Sequence, residues 1–239
     1  MRILMTFLAA VVVAGCAGEK FDINSLPERD LNTTIGDTVY IQQYPNWIGF
    51  NRPQDLIVGN EPFAYVADTE NDRVVMLDLA SRVIGASQRI KRPVALAQDK
   101  RLQLLVCAEF DTLLPGHTQP VTFGAVYRLD LPAYRHEIGT IPPKRVYFDP
   151  TDSTRRFTGV ATLYNNQYAI ARIGPKRFFP YFDNAVLLFD KDDGFISPIT
   201  TTFSPDGTGL LSIHRLTALA TLPTGRSLEY VFALSLIHI

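Results

Sequence analysis

The chain of 239 residues has few cysteines, few histidines and almost no net charge. Its formal net charge is -1, so it lacks the basic excess that attracts phosphate backbones, and we expect no nucleic-acid partner. The four histidines, at positions 117, 136, 214 and 238, lack any metal-ligand spacing. The sequence therefore predicts neither a metal nor another cofactor.

Enzyme signatures and long apolar runs are also absent. The sequence contains no Gly-x-Ser-x-Gly elbow, phosphate-cradling loop or Cys-x-x-Cys pair, which favours a non-enzymatic role. The apolar run near the start, Ile3–Val13, is too short to span about 30 Å of hydrocarbon as a helix. No long amphipathic helical stretch stands out, so we do not expect helices to build the core.

That apolar run has the form of a targeting segment. It follows Arg2 and ends in Val13-Ala14-Gly15-Cys16, which resembles the lipobox of bacterial lipoproteins. The resemblance implies a signal peptide over residues 1–15 and a lipidated thiol at Cys16, which anchors the mature protein to a membrane. An ordinary secretory signal, with Cys16 incidental, is the alternative.

The residues after Cys16 indicate where the anchored protein works. No Asp follows the cysteine, as an inner-membrane retention signal requires by resemblance to enteric lipoproteins, so we expect the outer membrane, facing the periplasm or the surface. Residues 16–34 hold the lipidated Cys and a polar tether. Cys107 lies in an apolar run and is expected to be a buried small hydrophobe, with a reactive thiol as the alternative.

The rest of the chain alternates β-branched and aromatic runs with clusters of Pro, Gly, Asn and Asp, which predicts an all-β fold. Four segments open alike, with an arginine that leads into an apolar strand: Arg52, Arg92, Arg156 and Arg215. Second strands follow with Tyr65, Leu104 and Tyr168, each eight residues after Ile57, Leu96 and Val160. Third strands with the pattern Val-x-x-Leu/Phe-Asp end at Asp78, Asp130 and Asp190.

Three strands joined by turns and followed by an edge strand are typical of a β-propeller blade. The 39 residues between Ile57 and Leu96 are close to the length of one blade. Longer spacings in the next two repeats place insertions at Phe110–Phe123 and Gly174–Asn184. We therefore expect a β-propeller of four-stranded blades over residues 35–233, of which about three and a half are present.

One repeat carries a family resemblance. Residues 65–74, Tyr-Val-Ala-Asp-Thr-Glu-Asn-Asp-Arg-Val, resemble the NHL repeat, whose blades typically read Tyr-Val-Ala-Asp-x-x-Asn-x-Arg-Val/Ile. Ser204-Pro205-Asp206-Gly207 resembles a turn of TolB-like propellers. The resemblance implies a propeller, and it leaves a calcium-dependent hydrolase of the gluconolactonase type as the alternative function, because propeller enzymes gather site residues from separate blades.

The last six residues predict that the chain is a fragment of a longer protein. Residues 234–239 read Leu-Ser-Leu-Ile-His-Ile, which matches the translation of a transposase adaptor used to prepare sequencing libraries. We expect an adaptor-derived tail here, with the natural chain continuing beyond Ala233 into further blades, since a ring needs about four to eight of them. A genuine apolar strand is the alternative.

Repeated acidic residues are expected to serve turns. Asp68, Asn71 and Asp72 offer oxygen atoms to a calcium ion, but such residues at a strand connection more often bond their own backbone. Asp78, Asp130 and Asp190 recur at strand ends and predict a shared turn role. Convergence of Asp68, Asn71 and Glu109 on one axial cavity would favour the hydrolase, whereas separate turns favour a binding module.

The two insertions hold the candidate binding residues, because long loops on a rigid scaffold often carry function. The first insertion contributes Glu109, Asp111 and His117. The second combines cations with aromatic rings suited to a peptide or glycan, although a minicore that packs the loop is the alternative: Lys176, Arg177, Phe178, Phe179 and Tyr181. The sequence thus predicts a membrane-anchored module that binds or scaffolds a protein, peptide or glycan.

Overall fold

A computed structural model describes residues 46–178, 181–200, 215–222 and 230–235, all within the unit Pro45–Ile239. The predicted signal peptide, Cys16, the predicted tether, Phe179, the predicted turn at 204–207 and residues 236–239 lie outside the described residues. No helix in the described part of the chain is long and apolar enough to cross a membrane.

The described chain is built from short strands. They are β1 Asp55–Val58, β2 Phe63–Asp68, β3 Arg73–Asp78, β4 Val83–Ala86, β5 Lys91–Gln98, β6 Gln103–Thr112, β7 Val121–Asp130, β8 Lys144–Phe148, β9 Arg156–Thr162, β10 Tyr168–Ile173, β11 Arg177–Phe178, β12 Tyr181–Phe182, β13 Ala185–Phe189, β14 Phe195–Thr200, β15 Arg215–Thr221 and β16 Tyr230–Ser235. Three single turns of 3-10 helix accompany them, at Thr69–Asn71, Pro132–Tyr134 and Ile138–Thr140. The all-β prediction is confirmed.

Neighbouring strands pair antiparallel into three four-stranded sheets. Sheet 1 contains β1–β4, sheet 2 contains β5–β8, and sheet 3 contains β9, β10, β13 and β14. The strands β15 and β16 form a further pair. One predicted insertion holds the β11–β12 hairpin, whereas much of the other is a continuation of β6 and β7, which stay paired out to Thr112 and Val121.

The three sheets pack face to face in chain order because their strands carry apolar residues on both faces. Along β6, Leu104 and Val106 belong to the core shared with sheet 1. The alternate residues Leu105 and Cys107 pack against Phe157 and other residues of sheet 3. The far face of sheet 3 packs in turn against β15.

Cys107 is fully buried at the interface between sheets 2 and 3, which confirms its predicted role as a small core residue. Burial raises the pKa of its thiol, so the thiol stays protonated and unreactive. The close approach of sheet 3 to β15 depends on Gly159, where an added Cβ would lie 2.8 Å from the backbone nitrogen of Leu219.

The predicted equivalence between repeats is wrong by one residue in sheet 1. Leu96 lies two positions before the last paired residue of β5, and Val160 lies two positions before the last paired residue of β9. The structurally equivalent residue of β1 is Leu56, not Ile57. Ala64, not Tyr65, likewise matches Leu104 and Tyr168. The reason is that Ile57 and Tyr65 face the following sheet, whereas Leu96 and Val160 face the preceding one.

The aspartates at strand ends confirm the predicted turn role. After β3, Oδ1 of Asp78 accepts the N–H groups of Ala80 and Arg82, at 3.0 and 2.8 Å. After β13, Oδ1 of Asp190 accepts the N–H groups of Asp192 and Gly194, at 2.8 and 2.7 Å. Oδ1 of Asp130 accepts the N–H of Ala133 at 3.3 Å. These short polar side chains satisfy the backbone donors of the turns that follow them.

Candidate functional site

The first strands of the sheets, together with β15, line one cleft of about 810 Å³. We call the end where β1, β5, β9 and β15 begin the upper end, and the end where they finish the lower end. Aliphatic side chains such as Ile57, Val94 and Val160 line the middle of the cleft. Neutral polar residues line its lower end: Asn60, Gln98, Thr162 and Thr221.

Asp55 joins two sheets in the wall of this cleft. Its Oδ2 accepts the N–H of Leu96 in β5 at 2.7 Å, and its Oδ1 accepts the N–H of Leu56 at 2.8 Å. Burial raises the pKa of Asp55 even though both hydrogen bonds act to lower it. Because the hydrogen bond from Leu96 crosses from sheet 2 to sheet 1, Asp55 fixes the position of β1 against β5.

Five alternating charges cross the upper end from sheet 3 to sheet 1, and we call them the charged rim: Arg156, Glu109, Arg92, Glu70 and Arg52. Glu109 accepts a hydrogen bond from Nε of Arg156 at 3.1 Å, and its carboxylate lies 3.8 Å from Nε of Arg92. Glu70 accepts a hydrogen bond from Nη1 of Arg92 at 2.9 Å, and its carboxylate lies 3.8 Å from Nη1 of Arg52. Glu109 and Arg156 also line the cleft, so the rim adjoins its upper opening.

The first predicted loop is divided by the structure. Glu109 faces the cleft, whereas Asp111 is exposed and accepts hydrogen bonds from Lys91 Nζ and Thr122 Oγ1, both at 2.5 Å. His117 is exposed in the loop between β6 and β7, where its backbone N–H donates to the carbonyl of Leu114 at 3.0 Å. These three predicted residues therefore do not form one site, and Glu109 is the one that lines the cleft.

The second predicted loop is tied down by ion pairs. Lys176 Nζ lies 2.8 Å from Asp152 Oδ2, and this hydrogen bond holds the pKa of Asp152 well below its usual range. The fully buried Asp183 accepts hydrogen bonds from Nε of Arg155 at 2.8 Å and from the backbone N–H of Lys176 at 2.9 Å. The backbone of this loop forms the β11–β12 hairpin, in which Arg177 pairs with Phe182 and Phe178 pairs with Tyr181.

The most polar cluster of the repeats closes the turn after β2, and Asp68, Asn71 and Asp72 do not line the cleft. Asp68 is fully buried and accepts the N–H of Asn51, Nδ2 of Asn71 and Nε of Arg73, at 2.7, 2.8 and 2.8 Å. Burial alone would raise the pKa of Asp68, but these hydrogen bonds outweigh it and lower the pKa. Asp68 and Asn71 therefore do not converge with Glu109 on a shared cavity.

A second, smaller cavity of about 420 Å³ lies between sheet 1 and the loop that precedes β8. His136 lines it, and its Nδ1 lies 3.8 Å from Oε1 of Glu61. Oε1 of Glu61 also accepts hydrogen bonds from Tyr65 and Gln98. Within the described ranges, no group of three or more His, Cys, Asp or Glu side chains is placed to hold a metal ion.

The arginines of the charged rim were missed as site residues, although the sequence contained their signal. Each of them opens a repeat, and this recurrence of arginine at one place is the signal that marks them.

Comparison of the chain with known protein families finds no family model that matches it. Comparison with curated proteins finds no match either.

Proposed function

We propose that this chain is a lipid-anchored β-propeller of the NHL type that acts as a peptide-binding or scaffold module in the bacterial cell envelope. Three observations support the propeller: the sheets have four strands, neighbouring strands pair in order, and the sheets pack face to face. The first strand of every sheet lines a common cleft, which is the position of the innermost strand of a blade.

The cleft is the observation that carries the binding function. Its volume of about 810 Å³ lies within the range of ligand pockets. Aliphatic walls with a few polar groups at both ends are the usual composition of such pockets. The second loop stands at the same upper end as the charged rim, because β10 ends where β9 begins.

A peptide fits this lining better than a glycan. Aromatic side chains supply the large flat apolar area on which stacking ligands such as sugars rest. Phe157 is the single aromatic residue among the described residues that line the cleft, and it is buried against sheet 2. The aliphatic and threonine side chains that line the cleft suit an extended peptide. Such a peptide can also form hydrogen bonds with the backbones of the strands.

Blocking the cleft tests this proposal. Ala218 is exposed on the cleft wall, so Ala218→Trp should fill the space that a ligand needs. The matched control is Ala133→Trp, at an exposed position outside both cavities. Fluorescence anisotropy of the full chain in detergent, with fluorescein-labelled random tetrapeptides as probe, should show at least about tenfold weaker binding for Ala218→Trp alone.

Equal binding by the two tryptophan variants would exclude the cleft as the peptide site. Absence of tetrapeptide binding by the unaltered chain would contradict the peptide-binding function itself. Circular dichroism of both variants checks that their strand content matches that of the unaltered chain.

The lipid anchor is tested separately from the binding function. Cells that express the chain are grown with an alkyne-tagged palmitate, and the label on the purified protein is then measured. We expect labelling of the unaltered chain and of Cys107→Ala, and none of Cys16→Ser, because Cys16 is the proposed site of acylation. Two or more acyl chains at that site would supply stable anchoring. Labelling that survives Cys16→Ser contradicts the proposed anchor.

A further inference from the structure

Two arginines of the charged rim have a backbone conformation that residues other than glycine rarely adopt. The φ angles of Arg52 and Arg92 are +50° and +48°, in the left-handed region. Each of these residues precedes a proline, which restricts the preceding residue to extended conformations. Such strain persists only where the surrounding structure maintains it, and it gathers at ligand clamps and active sites.

The strained arginines occupy one repeated position of the fold. Arg52, Arg92 and Arg156 stand four residues before Leu56, Leu96 and Val160, which are equivalent in the register of their sheets. Arg215 begins β15 at the corresponding place in the chain. Sheets 1, 2 and 3 therefore each contribute one guanidinium group to the charged rim, and that of Arg156 lines the cleft.

The rim carries a positive charge in excess. Three guanidinium groups alternate with two carboxylates, which leaves one positive charge that the rim does not neutralise. Arg52 is the least engaged of the three, because its side chain is 75% exposed and lies 3.8 Å from Glu70. A guanidinium fork binds a planar carboxylate with two parallel hydrogen bonds.

We propose that the charged rim binds the terminal carboxylate of a peptide whose body lies in the cleft, an inference that rests on the proposed peptide-binding function. A single negative charge matches the single excess positive charge of the rim. A phosphate group carries nearly two negative charges, which exceeds the single excess positive charge of the rim. The surplus negative charge would be repelled by the carboxylates of Glu70 and Glu109. The rim thus sets both the direction of the peptide and its preference for a free end.

The test compares two pools of the same fluorescein-labelled random tetrapeptides, one with a free terminal carboxylate and one amidated. The full chain in detergent should bind the free-acid pool about tenfold more tightly than the amide pool, as expected for a charge-assisted hydrogen bond. Arg92→Gln should reduce this ratio to near one. The control Arg82→Gln, at an exposed ion pair in the turn after β3, should keep the tenfold ratio.

A second variant separates recognition from folding. Arg92→Gly removes the guanidinium group and relieves the left-handed strain, because glycine adopts this conformation freely. We expect it to lose the preference for the free acid with a thermal midpoint equal to or above that of the unaltered chain. An uronic-acid oligosaccharide in a parallel arm shows whether a carboxylate on a glycan is taken instead.

The outcomes for the rim and for the cleft are distinct. Equal affinity of the unaltered chain for acid and amide pools overturns carboxylate recognition, while loss of both affinities in Ala218→Trp still supports the cleft. Binding of the oligosaccharide in preference to the peptide acid overturns the peptide assignment of the rim. If neither tetrapeptide pool binds, the rim proposal and the peptide-binding function both fail.

Discussion

Two clusters of charge at opposite ends of the sheets differ in how far they are buried. At the upper end, the arginines and glutamates of the charged rim are partly exposed, with 75% of the Arg52 side chain and 42% of the Arg92 side chain accessible. At the lower end, Arg128 is only 7% exposed and lies between Asp99 and Asp193, at 3.2 and 2.5 Å. The same residue types thus form an accessible rim at one end and a buried network at the other.

The lower network joins sheets 2 and 3. Arg128 lies in β7, and Asp193 belongs to the turn between β13 and β14. Arg128 also donates to Oε1 of Gln103 at 2.9 Å, and its guanidinium group lies 5.5 Å from the centre of the Tyr168 ring. Buried charges with complete partners fix a structure firmly, whereas exposed pairs contribute little to stability and stay available to a ligand.

Removing the central cation should have the largest effect. Arg128→Ala removes the most buried cation that Asp99 and Asp193 share, which leaves them only the more exposed cations Arg101 and Lys144, and we expect the free energy of unfolding to fall by about 3–5 kcal/mol. Urea denaturation of the full chain, followed by circular dichroism, measures this change. The matched control is Arg82→Ala, whose side chain is 80% exposed in its pair with Asp78. A loss of under about 1 kcal/mol for Arg128→Ala would remove the contrast between the two ends.

Acid should reveal an intermediate effect at the upper end. Burial alone would raise the pKa of Asp149, but hydrogen bonds from Thr151 and Arg155 outweigh it and lower the pKa. A depressed pKa in the folded state stabilises the fold above the unfolded value of about 3.9, and this stability is lost as the pH falls from there toward the folded pKa. The free energy of unfolding should therefore decline below about pH 4.

The variant Asp149→Asn should weaken this acid dependence and lower stability at neutral pH, because Arg155 and Arg172 lose a charged partner. The control Asp192→Asn changes a carboxylate that is 67% exposed, and it should keep the slope of the unaltered chain. Chemical denaturation at several pH values between neutral and pH 3 measures the slopes. An equal slope for Asp149→Asn and the unaltered chain would contradict the assignment.

The smallest effect on stability is expected at the charged rim. Arg156→Gln removes one cation whose side chain is 34% exposed, and the free energy of unfolding should change by less than about 1 kcal/mol. Urea denaturation beside Arg128→Ala gives the comparison directly. A loss as large as that of Arg128→Ala would mean that the rim is part of the structural support and not a surface free for recognition.

Residue patterns alone predicted most of the strands. The β-branched runs, the turn residues between them and the recurring aspartates are local signals, and the strands they predicted around Tyr65, Cys107 and Ile170 are all present. The one-residue error in sheet 1 arose because Leu56 and Ile57 are both apolar, so the sequence does not show which of them faces the next sheet. Only the pairing of β1 with β2 decides the face.

The candidate site could be predicted only in part. Glu109 was selected from its loop, but its partners Arg92 and Arg156 lie 17 and 47 residues away in the chain and belong to different strands. The sequence by itself determined strands, turns and a repeat, because these depend on neighbours along the chain. The tertiary structure decided the cleft, the charged rim and the buried Arg128 network, because each needs side chains that meet only when separate sheets pack together.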